Sequence, residues 1–175
     1  MCRRSVLAGA ILAAAVTAMS ATYANAQTFH ADLSGFDELS PGAVFTKGQG
    51  TLTLKLDQKL QMLTYTLTYS NLTSDVTQAH IHFGKARDVG GIFVFFCSNL
   101  GNGPLGTPAC PVAGGTVTGT LTAGSVVSPG QNITAGDFSI VPAALLTDTA
   151  YANVHTVKFP GGEIRGQIGE AGPNQ

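Results

Sequence analysis

Between Tyr151 and Ile168 the chain reads Y-A-N-V-H-T-V-K-F-P-G-G-E-I-R-G-Q-I, and alternation with a period of two on both sides of a Pro-Gly-Gly turn leaves this stretch few ways to fold. Ala152, Val154 and Thr156 alternate with Tyr151, Asn153 and His155; Ile164, Gly166 and Ile168 alternate with Glu163, Arg165 and Gln167. The pattern predicts two half-buried strands, each with one apolar or small face and one polar face. Residues paired across a hairpin share a face of the sheet, so the parity of the loop decides which face His155 joins. A two-residue loop at Pro160-Gly161 sets His155 beside Gly166, on the face of the isoleucines. A three-residue loop, Pro160-Gly161-Gly162, sets it opposite Gln167 and near Arg165, and supplies a glycine for the left-handed position of such loops. The second is preferred, because it gathers Asn153, His155, Arg165 and Gln167 on one polar face and leaves Val154, Ile164 and Ile168 for the core, with Tyr151 near the polar rim.

The same period runs through the rest of the chain. Phe29, Ala31 and Leu33 alternate with His30 and Asp32; Leu52, Leu54 and Leu56 alternate with Thr51, Thr53 and Lys55; after a turn at Asp57 to Lys59, Leu63, Tyr65, Leu67 and Tyr69 alternate with threonines. A strand around His80, an apolar run from Ile92 to Cys97 that reads as buried on both sides, and a strand through Val117 and Leu121 follow. Pro142 to Leu146, with Asp137 as its cap, is the one short helix expected. Short strands joined by Gly and Pro turns predict an all-β Greek-key sandwich or barrel of about seven to nine antiparallel strands.

At the N-terminus, Arg3 and Arg4 precede an apolar run from Val6 to Met19, and Ala24-Asn25-Ala26 has the form of a cleavage site. Residues 1–26 therefore read as a secretory signal peptide rather than a membrane span, since the apolar run is too short. The arginine pair followed by Ser5-Val6-Leu7 also partly resembles a twin-arginine signal, so either export route is open. The expected mature chain is one domain over 27–170 with a short tail over 171–175, exported to the periplasm or the extracellular space, and no further apolar run approaches membrane length. Taking Arg3 and Arg4 from the nine basic residues leaves seven against ten acidic ones, a formal charge of −3 with no basic cluster, which argues against nucleic acid as a partner.

Of three cysteines, Cys2 falls in the signal. Cys97 and Cys110 remain for an oxidising compartment and are expected to pair across a Gly-, Pro- and Asn-rich loop. A bridge closing a loop of that size is worth about 3 kcal/mol in the chain-entropy account. A redox or metal-binding thiol pair would need a closer spacing such as C-x-x-C.

The opening F-H-A-D-L-S-G, the central A-H-I-H-F-G, and the closing Y-A-N-V-H-T with F-P-G-G-E-I-R-G-Q-I occur in the order found in the CHRD, or chordin-type, domain family, which the expected mature chain resembles along nearly its whole length. The chain departs from the family's common pattern in the segment carrying the two cysteines and at Lys85-Ala86-Arg87-Asp88. The resemblance implies an extracytoplasmic Greek-key module similar in fold to copper-zinc superoxide dismutase. It implies no partner, since growth-factor binding belongs to chordin as a whole.

The chemistry centres on Gln78-Ala79-His80-Ile81-His82-Phe83-Gly84. Ala79, Ile81 and Phe83 are expected to face the core, which leaves His80 and His82 together on the other face, roughly 6.5 to 7 Å apart along the strand. Two imidazoles so placed can grip one transition-metal ion, and His155 as a third would suit copper or zinc, with affinity expected to fall on acidification through the histidine range. The H-x-H arrangement also resembles the copper-ligating strand of the dismutases. The chain has only four histidines, however, and lacks the further His and Asp cluster that a bridged zinc site requires. The other reading is structural: His80, His82, Asn153, His155, Glu163, Arg165 and Gln167 form a hydrogen-bond network that pins the closing hairpin to the central strand. The function expected is accordingly an exported binding or structural module, not an enzyme, whose partner is an unidentified protein or small ligand. The alternatives are a copper- or zinc-binding protein and, more remotely, a dismutase-like oxidoreductase.

Overall fold

Leucine opposite leucine and threonine opposite threonine build the first hairpin: Thr51 pairs with Thr68, Leu52 with Leu67, Thr53 with Thr66 and Leu56 with Leu63. With both strands in step, all the leucines fall on one face and bury, and the threonines form the outer face. The computed structural model describes residues 26–172. The segment read as a signal lies outside the described residues except for Ala26, as do residues 173–175 of the expected tail. The strands are β1 (Gln27–Ser34), β2 (Gln49–Asp57), β3 (Met62–Ser70), β4 (Val76–Phe83), β5 (Gly91–Ser98), β6 (Gly115–Leu121), β7 (Ala150–Thr156), β8 (Ile164–Gln167) and β9 (Gly169–Glu170). All the pairings are antiparallel, in the order β5-β4-β7-β8-β1-β2-β3-β6, with β9 on β1. The sheet nearly closes on itself: Val126, just after β6, bridges Val94 of β5, and the Val127 amide donates to the Phe93 carbonyl. β3 pairs with β6 and β4 with β7, so the connections from β3 to β4 and from β6 to β7 join strands that are not neighbours, which makes the barrel a Greek key.

Phe29, Leu52, Leu54, Leu67, Ile81 and Phe96 are fully buried in the interior. Among the described residues the one α-helix, α1 (Ile140–Leu146), adds Val141, Ala144 and Leu145 to it. Asp137 is not its cap. Its carboxylate accepts from the amide and hydroxyl of Ser139, and Ser139 holds the cap position, so the aspartate organises the preceding turn. Cys97 and Cys110 are bonded to each other. Asn99 seconds the bridge, accepting from the Cys110 amide and donating to the carbonyls of Val76 and Cys110.

The closing hairpin differs from expectation in register and in burial. Asn153 pairs with Arg165 and Tyr151 with Gln167, four positions away from the pairing a three-residue loop requires, and the connection runs over 157–163. Since four is even, every residue keeps its face, and His155 still shares one with Asn153, Arg165 and Gln167. The longer loop follows from Glu163. Fully buried, its carboxylate accepts from the hydroxyls of Thr46, Thr73 and Thr156 and from the Thr73 amide, which holds the chain back before β8 begins. Nor is β7 half-buried, because all seven of its residues are buried. The segment around Glu38 and the loop from Lys85 to Asp88 cross over its polar face, tied down by Asn153 and Arg165.

Gly162 has φ of 132°, a conformation open to glycine, and a Cβ there would collide with the side chains of Glu38 and Asn153. Gly162→Val should therefore destabilise the domain by at least about 2 kcal/mol in a denaturant titration, combining backbone strain with overpacking. An unchanged midpoint would show that this loop can be rebuilt without cost.

Candidate metal centre

The pairing of β4 with β7 brings the histidines together. Gln78 lies opposite His155, His80 opposite Asn153 and His82 opposite Tyr151, so His80, His82 and His155 project from one face of two adjacent strands. Against β5 the register shifts twice, between Ala79 and His80 and between Ile81 and His82, and such irregularities re-aim side chains. Ring centroids lie 4.9 Å apart for His80 and His155, 5.5 Å for His80 and His82, and 5.9 Å for His82 and His155. One nitrogen from each ring falls within 4.8 Å of the others, close enough for a single ion to draw all three onto itself.

The hydrogen bonds decide which nitrogens are available. His82 donates Nδ1–H to the Gly90 carbonyl at 2.9 Å, and His155 donates Nδ1–H to the Pro160 carbonyl at 2.9 Å. A carbonyl can only accept, so each of these rings is held with its proton on Nδ1 and a lone pair on Nε2. Neither Nε2 has a hydrogen-bond partner, and neither nitrogen of His80 has one. His80 is fully buried, and His82 and His155 are 8% and 5% exposed. Burial, reinforced by the neighbouring imidazoles of His155 and His82, pushes the His80 pKa down to about 2. Burial pushes His82 down to about 4 against the opposing pull of the Gly90 carbonyl, and lowers His155 as well. The three rings are neutral at physiological pH, the state in which imidazole coordinates a metal.

Aromatic groups enclose the cluster. The Phe95 ring stands edge-on to His80 at 4.5 Å, and Tyr151 stacks flat on His82 at 4.7 Å. The Arg165 guanidinium lies 3.4 Å from the Tyr151 ring centre and donates to the carbonyls of Asp88 and Lys85, in the loop that ends at the His82 acceptor Gly90. This loop turns tightly at Gly90, where any Cβ would collide with the Phe83 carbonyl.

The polar residues read from the sequence do not form one network. Asn153 bonds Glu38 and the Ile164 carbonyl, Glu163 bonds threonines, and Arg165 bonds loop carbonyls. Gln167 donates to the carbonyls of Gly84, Asp148 and Ala150. None of these side chains reaches an imidazole nitrogen. Glu38, Phe95 and the Gly90 and Pro160 carbonyls escaped the sequence reading; the paired glycines at 90 and 91 were the only local signal of so close an approach. His30 lies elsewhere, partly exposed beside Asp32.

Three convergent, neutral, enclosed imidazoles can hold a copper or zinc ion, with the Gly90 and Pro160 carbonyls orienting two of the ligands. The family described as the CHRD domain matches residues 29–168. No curated protein matches the chain.

Proposed function

The chain belongs to the CHRD domain family, and we propose that it is an exported, non-catalytic module holding one copper or zinc ion on His80, His82 and His155. The observation that carries this reading is the set of three buried imidazoles, each with a nitrogen that lacks a hydrogen-bond partner and each offering one nitrogen within 4.8 Å of the other two. Buried polar atoms are ordinarily paired, because leaving one unpaired costs about 1–3 kcal/mol. A cluster that leaves all three open is costly as a structural device and suitable as a ligand set. Asn153, Glu163, Arg165 and Gln167 serve the fold, each satisfied by its own partners. Enclosure favours retention of an ion over turnover, since catalytic sites keep a coordination position open to solvent. Export is supported by the Cys97–Cys110 bridge and by the signal pattern over 1–26. Among the described residues no helix is long and apolar enough to cross a membrane.

Calorimetric titration of the metal-free protein at pH 7.5 tests the reading. One ion should bind per chain; His82→Ala should weaken binding at least about tenfold, and His30→Ala should leave it unchanged. Absence of stoichiometric binding by the wild type, or wild-type binding by both variants, rejects the metal site. Circular dichroism checks folding, and a His82→Ala chain that is unfolded without metal would assign the histidines to the fold instead.

A further inference from the structure

We infer that this site is selective for a monovalent soft ion, Cu(I), over Zn2+ and Cu2+. The inference rests on the three-histidine reading above and adds to it the charge and coordination number that the surroundings permit. The donors are three imidazoles and nothing else: among the described residues no cysteine or carboxylate joins the cluster. Arg165 stacks on Tyr151, which stacks on His82, and its hydrogen bonds go to backbone carbonyls rather than to a carboxylate. Both buried carboxylates of this region are engaged elsewhere, Glu38 by the Leu39 and Ser40 amides and Asn153, and Glu163 by threonines. None of these charged groups is a ligand of the site, so an incoming ion brings its charge to a set of neutral donors closed from water. The desolvation cost of a buried ion rises with the square of its charge, which penalises a divalent ion about four times as heavily as a monovalent one.

Coordination number points the same way. A closed zinc site is four-coordinate. Here the three rings bring three nitrogens, Phe95 closes over His80, and Tyr151 covers His82, so Zn2+ or Cu2+ would have to bring a water or an anion into the enclosure. Cu(I), a filled-shell ion without directional preference, is satisfied by three nitrogen donors in a trigonal arrangement.

Anaerobic titration of the metal-free protein with Cu(I), against bicinchoninate as a competing chelator, should show one Cu(I) per chain, and Ag(I), a monovalent ion without redox chemistry, should displace it. Zn2+ and Cu2+ should bind at least about 100-fold more weakly. For the copper pair such a preference raises the Cu(II)/Cu(I) potential by about 120 mV over that of the free ions, at 59 mV per tenfold. Zn2+ or Cu2+ binding as tightly as Cu(I), at the same histidines, would overturn the selectivity and leave the metal site standing. Failure of all four ions to bind would overturn both.

Discussion

Replacing His80 by leucine should stabilise the metal-free domain by about 1–3 kcal/mol while abolishing metal uptake, an opposition that a structural histidine cannot produce. His80 is fully buried and neither ring nitrogen has a partner. Its ring packs edge-on against Phe95, between two other imidazoles. In the absence of metal, leucine fills nearly the same space and removes two polar atoms that lost their hydration without compensation. With metal, the loss of one of three ligands should lower affinity by at least about 1,000-fold, or roughly 4 kcal/mol at 1.4 kcal/mol per tenfold. Urea titrations of the two metal-free proteins and competition titrations of the same samples measure both quantities. If His80→Leu destabilises the metal-free domain, His80 makes a structural contribution that its missing hydrogen bonds conceal, and the pinning role becomes the better account. His80→Ala would be a poorer test, because the cavity it leaves destabilises whichever reading holds.

The strands were legible because alternation states which side chains share a face, and this placed His80 with His82 and His155 with Asn153 before any pairing was known. The adjacency of β4 and β7 was not legible. They are distant in sequence and become neighbours only through the Greek-key crossing, which no local pattern encodes. The register of the closing hairpin escaped for a related reason: the loop length is set by Glu163 reaching Thr46 and Thr73, and pairs so far apart in sequence leave no periodic trace. The same applies to the burial of β7. The segment around Glu38 and the loop before Gly90 cover its polar face, yet both are irregular and polar enough to read as solvent-facing turns. Face assignment survived all this because the register error was an even number of residues. An odd error would have sent His155 into the core.

Acidification of the metal-free protein from pH 7.5 to pH 5 should remove about 4 kcal/mol of stability through His80 and His82 alone, with His155 acting in the same direction. The sign follows from where the protons go. In the unfolded chain each imidazole takes up a proton as the pH falls through about 6.5. In the folded domain burial holds His80 down to about 2 and His82 down to about 4, so between these limits the unfolded state binds more protons and gains in relative stability. The stability conferred by neutral rings is intact above about pH 7. It is lost at about 1.4 kcal/mol per pH unit per ring below 6.5, or about 2 kcal/mol per ring by pH 5. Urea midpoints measured across this range should therefore slope steeply, and the His80→Leu chain should lose about 2 kcal/mol less than the wild type. Equal slopes in the two proteins would mean that His80 titrates normally and is not enclosed as described. The same enclosure revises the expectation that metal affinity falls through the ordinary histidine range: the His80 and His82 rings, already neutral in the folded domain at pH 5.5, have no proton to give up, so uptake by the folded protein should fall less between pH 7.5 and 5.5 than it would for three exposed imidazoles. At these two nitrogens acid then acts by unfolding the barrel around the ion rather than by competing for the lone pairs directly.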